Sequence, residues 1–345
     1  MVKRGDLPLT KLPQGWGTDD QPWPPRQLLD WIGWANAQTD PPWIIPGIIP
    51  FDAAVLVSGR AKKAKKTWFA FEIALSIASG KSIVPALMPT CAVPVLVLEL
   101  EGPAKLTANR WEMLLKPFAN TQFRCPIYYA HRLNFLLDDV SHMEEVTKFV
   151  QEAGIKFMII DTLAQSNRAD ENSVQQIGEV MRRIKDLRAA MKGGTVAYLH
   201  HLRKPSEIKG GIKPDIDTEI RGTSALSGFY DVHLCIREPD DEHSDYLDLT
   251  VRQSDAMEKF FKLYWTIDSE CDMKATLRME EESPDMVDEE FANEKLGLLM
   301  DDAQYSVRDL AATWGTSQDV AVVARDLLLA SGGLLRAGKN KVKRS

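Results

Sequence analysis

Between Phe51 and Arg237 short apolar runs alternate with longer amphipathic ones, and this alternation constrains the fold more than any other feature. The apolar runs are "AAVLVS" (53–58), "VPVLVLEL" (93–100), "PIYYA" (126–130), "KFMIID" (156–161) and "TVAYLHH" (195–201). Most have no polar face, as expected of strands buried on both sides. The segments between them, "TWFAFEIALSIAS" (67–79), 104–115, "SHMEEVTKFVQEAG" (141–154) and "SVQQIGEVMRRIKDLRAAM" (173–191), carry apolar residues at helical spacing. Strand–helix alternation of this kind predicts an α/β fold, a mainly parallel sheet flanked by helices. "DVHLCIRE" (231–238), "YLDLTVRQ" (246–253) and "KFFKLYWTID" (259–268) follow without helices between them and read as an antiparallel extension of the sheet.

The flanks differ from this core in composition. Residues 1–50 include "QPWPPRQLLDWIGWANAQTDPPWIIPGIIP" (21–50), whose prolines exclude long regular elements and leave room for one short helix, 26–38. They read as an N-terminal arm lying across the body or a neighbouring subunit, or as a local cap. The core is expected over 51–278. "MEEESPDMVDEE" (279–290) is an acidic linker or the solvated start of a helix. Residues 291–345 suggest three short helices and a basic end, "KNKVKRS". The turn "TWGTS" (313–317) between two amphipathic stretches is similar to a helix-turn-helix in a small winged-helix-like domain. A plain helical docking tail fits the same pattern.

The 345-residue chain is 44% apolar and carries a net charge of −7, so it is no general binder of polyanions, although a local basic surface is compatible with that charge. The four cysteines are scattered, with no C-x-x-C pair, which excludes a zinc or disulfide framework and fits a cytoplasmic protein. The N-terminus lacks the apolar core of a secretory signal, and no run is long and apolar enough to predict a membrane span.

"VSGRAKKAKKTWFAFEIALSIASGK" (57–81) places a buried strand, a glycine, a basic loop and an apolar helix in series. This is the layout of a phosphate-binding loop, where backbone N–H groups and a helix N-terminus face an anion. The strict pattern G-x-x-x-x-G-K-[ST], counted from Gly59, puts the second glycine at Ala64, the lysine at Lys65 and the hydroxyl at Lys66. Only the lysine matches. In this stretch Lys66-Thr67 is the one contiguous lysine–hydroxyl pair. The preferred register therefore makes Lys66 the phosphate lysine and Thr67 the Mg²⁺ ligand, with Lys65 as the fallback lysine. Gly59, Arg60, Ala61, Lys62, Lys63, Ala64 and Trp68 complete the expected nucleotide-binding stretch. The competing reading is a solvated basic start to a helix.

Three strand ends supply further candidates. Asp161 closes "FMIID", where a magnesium-water ligand belongs on a strand expected beside the loop strand. Glu99 and Glu101 close "VLVLELEGP", and either suits orientation of an attacking water. His200 and His201 close "AYLHHLRKP" and are candidates to sense a γ-phosphate.

Taken in order, "GRAKKAKKTW", "VLVLELEGP", "MIIDTLAQSNRADENS", "AYLHHLRKP" and "RGTSALSGFYDVHL" resemble the RepA-like branch (AAA_25 type) of the RecA-fold P-loop ATPases, which includes plasmid and phage hexameric replicative helicases. The likeness spans about Trp43 to Arg237. It implies a RecA-like ATPase using ATP and Mg²⁺, assembled as a homo-oligomer, typically a hexameric ring, with nucleotide between subunits. By position, Lys66 and Thr67 resemble the P-loop pair and Glu101 the catalytic glutamate. Asp161 resembles the Mg²⁺-associated aspartate, and His200 or His201 the residue coupling phosphate to DNA. Arg221 and Arg237 are the candidate fingers toward a neighbouring site. Lys204, Lys209 and Lys213 fall in the segment that faces the central channel and would contact single-stranded DNA. Replication initiators or primases are the implied protein partners. A nucleotide-binding initiator or loader scaffold, and a transcription regulator with an ATPase core, are the alternatives.

Overall fold

The computed structural model describes residues 43–131, 134–203, 215–222, 224–239, 244–253, 258–268, 273–282, 287–300, 303–316, 318–338 and 341–344. The expected arm before Trp43 lies outside these residues, as do Lys204, Lys209 and Lys213.

A nine-stranded sheet organises the chain. Its strands are β3 (Ala54–Gly59), β4 (Val95–Glu99), β5 (Ile127–His131), β6 (Phe157–Asp161), β7 (Thr195–His201), β8 (Val232–Arg237), β9 (Tyr246–Gln253), β10 (Lys259–Asp268) and β11 (Lys274–Glu281). They lie in the order β11-β10-β9-β8-β3-β7-β6-β4-β5. Every pairing from β8 to β5 is parallel, and those from β8 through β11 are antiparallel. The mainly parallel sheet with an antiparallel extension is thus present, with two differences. First, β8 pairs with β3 in parallel rather than antiparallel fashion. The chain between His201 and Val232 is long enough to cross back over the sheet, and its described residues include a 3₁₀ turn, Ser224–Gly228. Second, β7 stands between β3 and β6, so the strand carrying Asp161 is one place away from the loop strand.

Helices cover both faces. Helix α1 (Lys66–Ser79) and helix α2 (Ala104–Leu115) lie on one face. There Phe69, Ile73 and Ile77 of α1 pack with Val55 and Val57 of β3. Helix α3 (Val140–Glu152) and helix α4 (Val174–Ala190) lie on the other, where Val146, Val150, Ile177 and Ile184 meet Leu56, Met158 and Ile160. Alternate residues of each strand feed opposite cores, which is why the strand sequences have no polar face. Helix α1 is buried almost all round, and its Trp68 meets Trp265 of β10. The segment 43–50, grouped above with the arm, forms a short hairpin of β1 (Trp43–Ile45) and β2 (Ile49–Pro50). Its Ile44, Ile45, Ile48 and Ile49 are buried in the core beside α1.

Strand β11 runs to Glu281, and Asp288 caps a helix α5 (Glu289–Leu296). Helix α6 (Val307–Trp314) opens with a capping box on Ser306 and closes on Gly315 at φ 63. Helix α7 (Gln318–Ser331) follows. The three expected helices are therefore present. They share a separate small core around Trp314, Leu310, Leu328 and Tyr305. The chain ends in a two-stranded antiparallel sheet, β12 (Leu334–Gly338) with β13 (Lys341–Arg344), an arrangement that is not clearly a winged helix.

Candidate nucleotide site

Parallel pairing brings the carboxyl ends of β3, β7, β6 and β4 to one edge of the sheet at matched height. Gly59 is level with His201, and Glu99 with Asp161. The candidate residues gather at this edge.

The loop after Gly59 ends at Lys65, which adopts a left-handed conformation, φ 49 and ψ 32, as the N-cap of α1. Counted back from Lys66-Thr67, Lys65 occupies the place of the second glycine, and it takes up the backbone shape that glycine would adopt freely. For a residue with a Cβ that shape costs on the order of 1–2 kcal/mol. Lys62 has a positive φ as well, 66°. No side chain caps Lys65, so the first N–H groups of α1 have no side-chain partner there. Gly59 is required for a different reason. A Cβ on it would sit 2.5 Å from the Ala64 Cβ and 2.8 Å from the Ile236 carbonyl oxygen.

The Lys66 side chain folds back under the loop. Its Nζ donates to the carbonyl oxygens of Gly59 at 2.7 Å and Arg60 at 3.2 Å, and lies 3.3 Å from Nδ1 of His201. Burial lowers its pKa to about 8, although Asp161 and Glu101 pull the other way. The Thr67 hydroxyl donates to Oδ2 of Asp161 at 2.7 Å. Asp161 is 3% exposed. Burial raises its pKa to about 7, with the charges of Glu99 and Glu101 adding to the rise and the Thr67 bond and Lys66 opposing it. The structure thus places Lys66, Thr67, Asp161 and His201 together. A hydroxyl and a carboxylate at a crowded acidic point form the hard-oxygen donor set that suits Mg²⁺. Among the described residues no cluster of three or more His, Cys, Asp or Glu is arranged to hold a metal ion by itself.

The two glutamates separate cleanly. Glu99 is buried and accepts from the Thr107 hydroxyl at 2.7 Å and from the Tyr129 hydroxyl. Glu101 is half-buried and accepts from the Thr162 hydroxyl at 2.8 Å. Glu101 is therefore the one open to solvent next to Asp161.

Other candidates fall elsewhere. His200 points to the face opposite α1, where its Nε2 meets the Arg221 carbonyl oxygen at 2.8 Å, so of the two histidines only His201 reaches Lys66. Trp68 packs on Trp265 rather than along the loop. Lys65 stands at the N-cap position of α1, and its side chain makes no capping bond. Arg221 pairs with Glu171 at 2.7 Å and Arg237 with Glu219 at 2.6 Å, so both candidate fingers sit in local ion pairs. One residue went unread. Glu238, just past β8, pairs with Arg60 at 3.3 Å and Lys63 at 2.9 Å and ties the basic loop to the sheet edge. Its only sequence signal is a carboxylate at a strand end.

No curated protein matches the chain in sequence. Many solved structures align with it, among them three at low identity. An ATPase domain shares 15% identity over 69% of this chain and 93% of its own, with a TM-score of 0.47. A DnaB-like replicative helicase, described with its interactions with primase, shares 15% over 66% of this chain and 58% of its own, with a TM-score of 0.48. A KaiC-like protein from the hyperthermophilic archaeon Pyrococcus horikoshii OT3 shares 13% over 68% and 93%, with a TM-score of 0.42. The family model described as "AAA domain" matches residues 22–207, more than half of the chain, and spans β3, α1, Asp161 and the histidine pair; the chain belongs to this AAA_25 family.

Proposed function

We propose that this protein is an ATP-dependent, ring-forming DNA helicase or translocase of RepA type, from a phage or plasmid. The observation that carries the reading is the Lys66–Thr67–Asp161 constellation at the carboxyl ends of parallel strands, against a helix N-terminus with no side-chain cap. In this reading Lys66 leaves the Gly59 and Arg60 carbonyls for the β and γ phosphates, and its partial burial strengthens that attraction. Thr67 and Asp161 would hold Mg²⁺, in part through water. When bound, that cation would supply neutralisation of the phosphate charge. Glu101 orients the attacking water, and His201, touching Lys66, carries the phosphate state toward the segment after β7. That segment contains Lys204, Lys209 and Lys213, which contact phosphates of single-stranded DNA. Arg221 or Arg237 exchanges its local carboxylate for the nucleotide of a neighbouring copy in a hexamer. An initiator or primase is the protein partner, and the cytoplasm is the compartment. The chain has no helix among its described residues long and apolar enough to cross a membrane.

One observation favours the second reading, a nucleotide-binding scaffold with weak turnover. The loop has Lys65 at positive φ where the pattern has glycine, and Glu238 binds the loop's basic residues. Steady-state ATP hydrolysis with and without single-stranded DNA, beside the mass of the assembly, separates the two. Hydrolysis stimulated by DNA in a ring supports the translocase. Nucleotide binding without turnover supports the scaffold.

A further inference from the structure

On the face of the sheet opposite α1, behind the loop, runs a second polar chain. The Ser58 hydroxyl lies 2.6 Å from Nε2 of His233, and His233 Nδ1 lies 3.1 Å from Oδ1 of Asp217. Asp217 also accepts from the Tyr230 hydroxyl, and its Oδ2 pairs with Arg252 at 2.9 Å. Arg252 in turn holds Asp215 through two bonds, at 2.7 and 3.0 Å, and pairs with Glu258. Ser, His and Asp in this order suggest a hydrolytic nucleophile. Ser58 and His233 are each 0% exposed, however, so no substrate reaches the hydroxyl. What such a chain does is hold its members in place.

The donors and acceptors fix its sense. Burial pushes the Asp217 pKa upward, but the bonds from His233 and Tyr230 and the charge of Arg252 hold it well below the usual carboxylate range. An ionised Asp217 only accepts, so Nδ1 of His233 carries a proton toward it and Nε2 faces the Ser58 hydroxyl. Ser58 immediately precedes Gly59. The Gly59 carbonyl accepts both the Lys66 ammonium, at 2.7 Å, and the Leu202 N–H, at 3.3 Å. A side chain at Gly59 has no room, since an added Cβ would meet Ala64 at 2.5 Å. A displacement of Ser58 therefore moves the anchor of Lys66. A loop with a lysine in place of its second glycine depends more than usual on what stands behind it. At the far end of the chain, Arg252 and Asp215 line a cavity of about 540 Å³ that Arg308, Gly315 and Gln318 also line.

We propose that His233 is a positioning residue for the phosphate loop: held by Asp217 and Arg252, it fixes Ser58 and through it Gly59 and Lys66 in the nucleotide-binding geometry. This rests on the nucleotide reading of the site, so the first measurement is Mg–ADP binding to the wild-type full chain. No binding there overturns that reading, and the proposal with it, before any variant is made.

Given binding, histidine-ring nitrogen NMR and calorimetry test the relay. Wild-type His233 is expected as a ring protonated at Nδ1 whose Nε2 signal moves when Mg–ADP is added. Ser58→Ala is expected to leave the chain folded, to abolish that movement and to weaken Mg–ADP roughly ten- to hundredfold, the range typical of partners that orient a ligating group. Ser58→Thr keeps the hydroxyl and restores binding. His233→Gln weakens binding like Ser58→Ala, and the double variant is no weaker than either, because both remove one link. A lower Tm in Ser58→Ala with unchanged Mg–ADP affinity would show a network that serves stability alone and overturn the proposal. So would a wild-type His233 signal that ignores Mg–ADP, a result that needs no variant to fold.

Discussion

Asp161→Asn removes a charge and leaves the shape. An amide oxygen at the same place still accepts from the Thr67 hydroxyl, now 2.7 Å from Oδ2. The effect on stability follows from burial. Asp161 is 3% exposed, and its pKa rises from 3.8 to about 7, first by burial and then by Glu99 and Glu101. Between those two pH values the folded chain holds a proton that the unfolded chain has released. Stability therefore falls as pH rises through this window, and the loss is complete above about 7. Three pH units at about 1.4 kcal/mol each give a ceiling of about 4 kcal/mol. The pull of Lys66 on the ionised carboxylate is already contained in that value. The variant should thus match the wild type near pH 4 and exceed it by up to about 4 kcal/mol at pH 8. Glu72, also raised to about 7 by burial, slopes the same way in both proteins and cancels in the difference. Urea unfolding of the metal-free proteins at a series of pH values reads this directly. Mg²⁺-dependent nucleotide binding should weaken in the same variant, stability gained where function is lost. Identical pH slopes for the two proteins would refute the buried-carboxyl argument.

Three other outcomes are expected. Glu101→Gln should keep nucleotide binding and lose turnover, since a water-orienting base acts mainly in the transition state, whereas Glu99→Gln should cost stability through its Thr107 and Tyr129 bonds; normal hydrolysis by Glu101→Gln shifts the role elsewhere. Gly59→Ala should lower stability by about 1–3 kcal/mol, as overpacking does, because its Cβ meets Ala64 at 2.5 Å, and a chemical melt checks it. Replacing Lys204, Lys209 and Lys213 together should flatten the salt dependence of single-stranded DNA binding and leave basal hydrolysis intact; loss of DNA binding only on deletion of 291–345 points to the C-terminal helices instead.

Much of the fold was legible because strand and helix periods differ. The runs at 53–58 and 67–79 announce β3 and α1 without reference to anything distant. The helix start at Lys66-Thr67 was legible too, from a lysine and a hydroxyl adjoining where the apolar helical spacing begins. Direction was not. Whether β8 runs with or against β3 depends on how the chain between His201 and Val232 crosses the sheet, and no local pattern encodes that. Strand order was hidden for the same reason, so Asp161 was expected beside β3 when β7 intervenes. The prolines of 43–50 suggested an arm, although the isoleucines between them are buried against α1. Choosing His201 over His200 required knowing which face of β7 meets α1. The links from Ser58 to His233 and from Arg60 to Glu238 join positions far apart in sequence, and neither forms a motif.

The central claim is that Lys66, Thr67 and Asp161 form a magnesium-nucleotide site. Calorimetric titration of Mg–ATP into the wild type, Lys66→Ala and Lys65→Ala tests it most directly. The account predicts binding by the wild type that needs Mg²⁺, none by Lys66→Ala, and a smaller loss in Lys65→Ala, whose side chain caps nothing and whose contribution is charge near the loop. Wild-type protein that binds no Mg–ATP, or a larger loss from Lys65 than from Lys66, would contradict it.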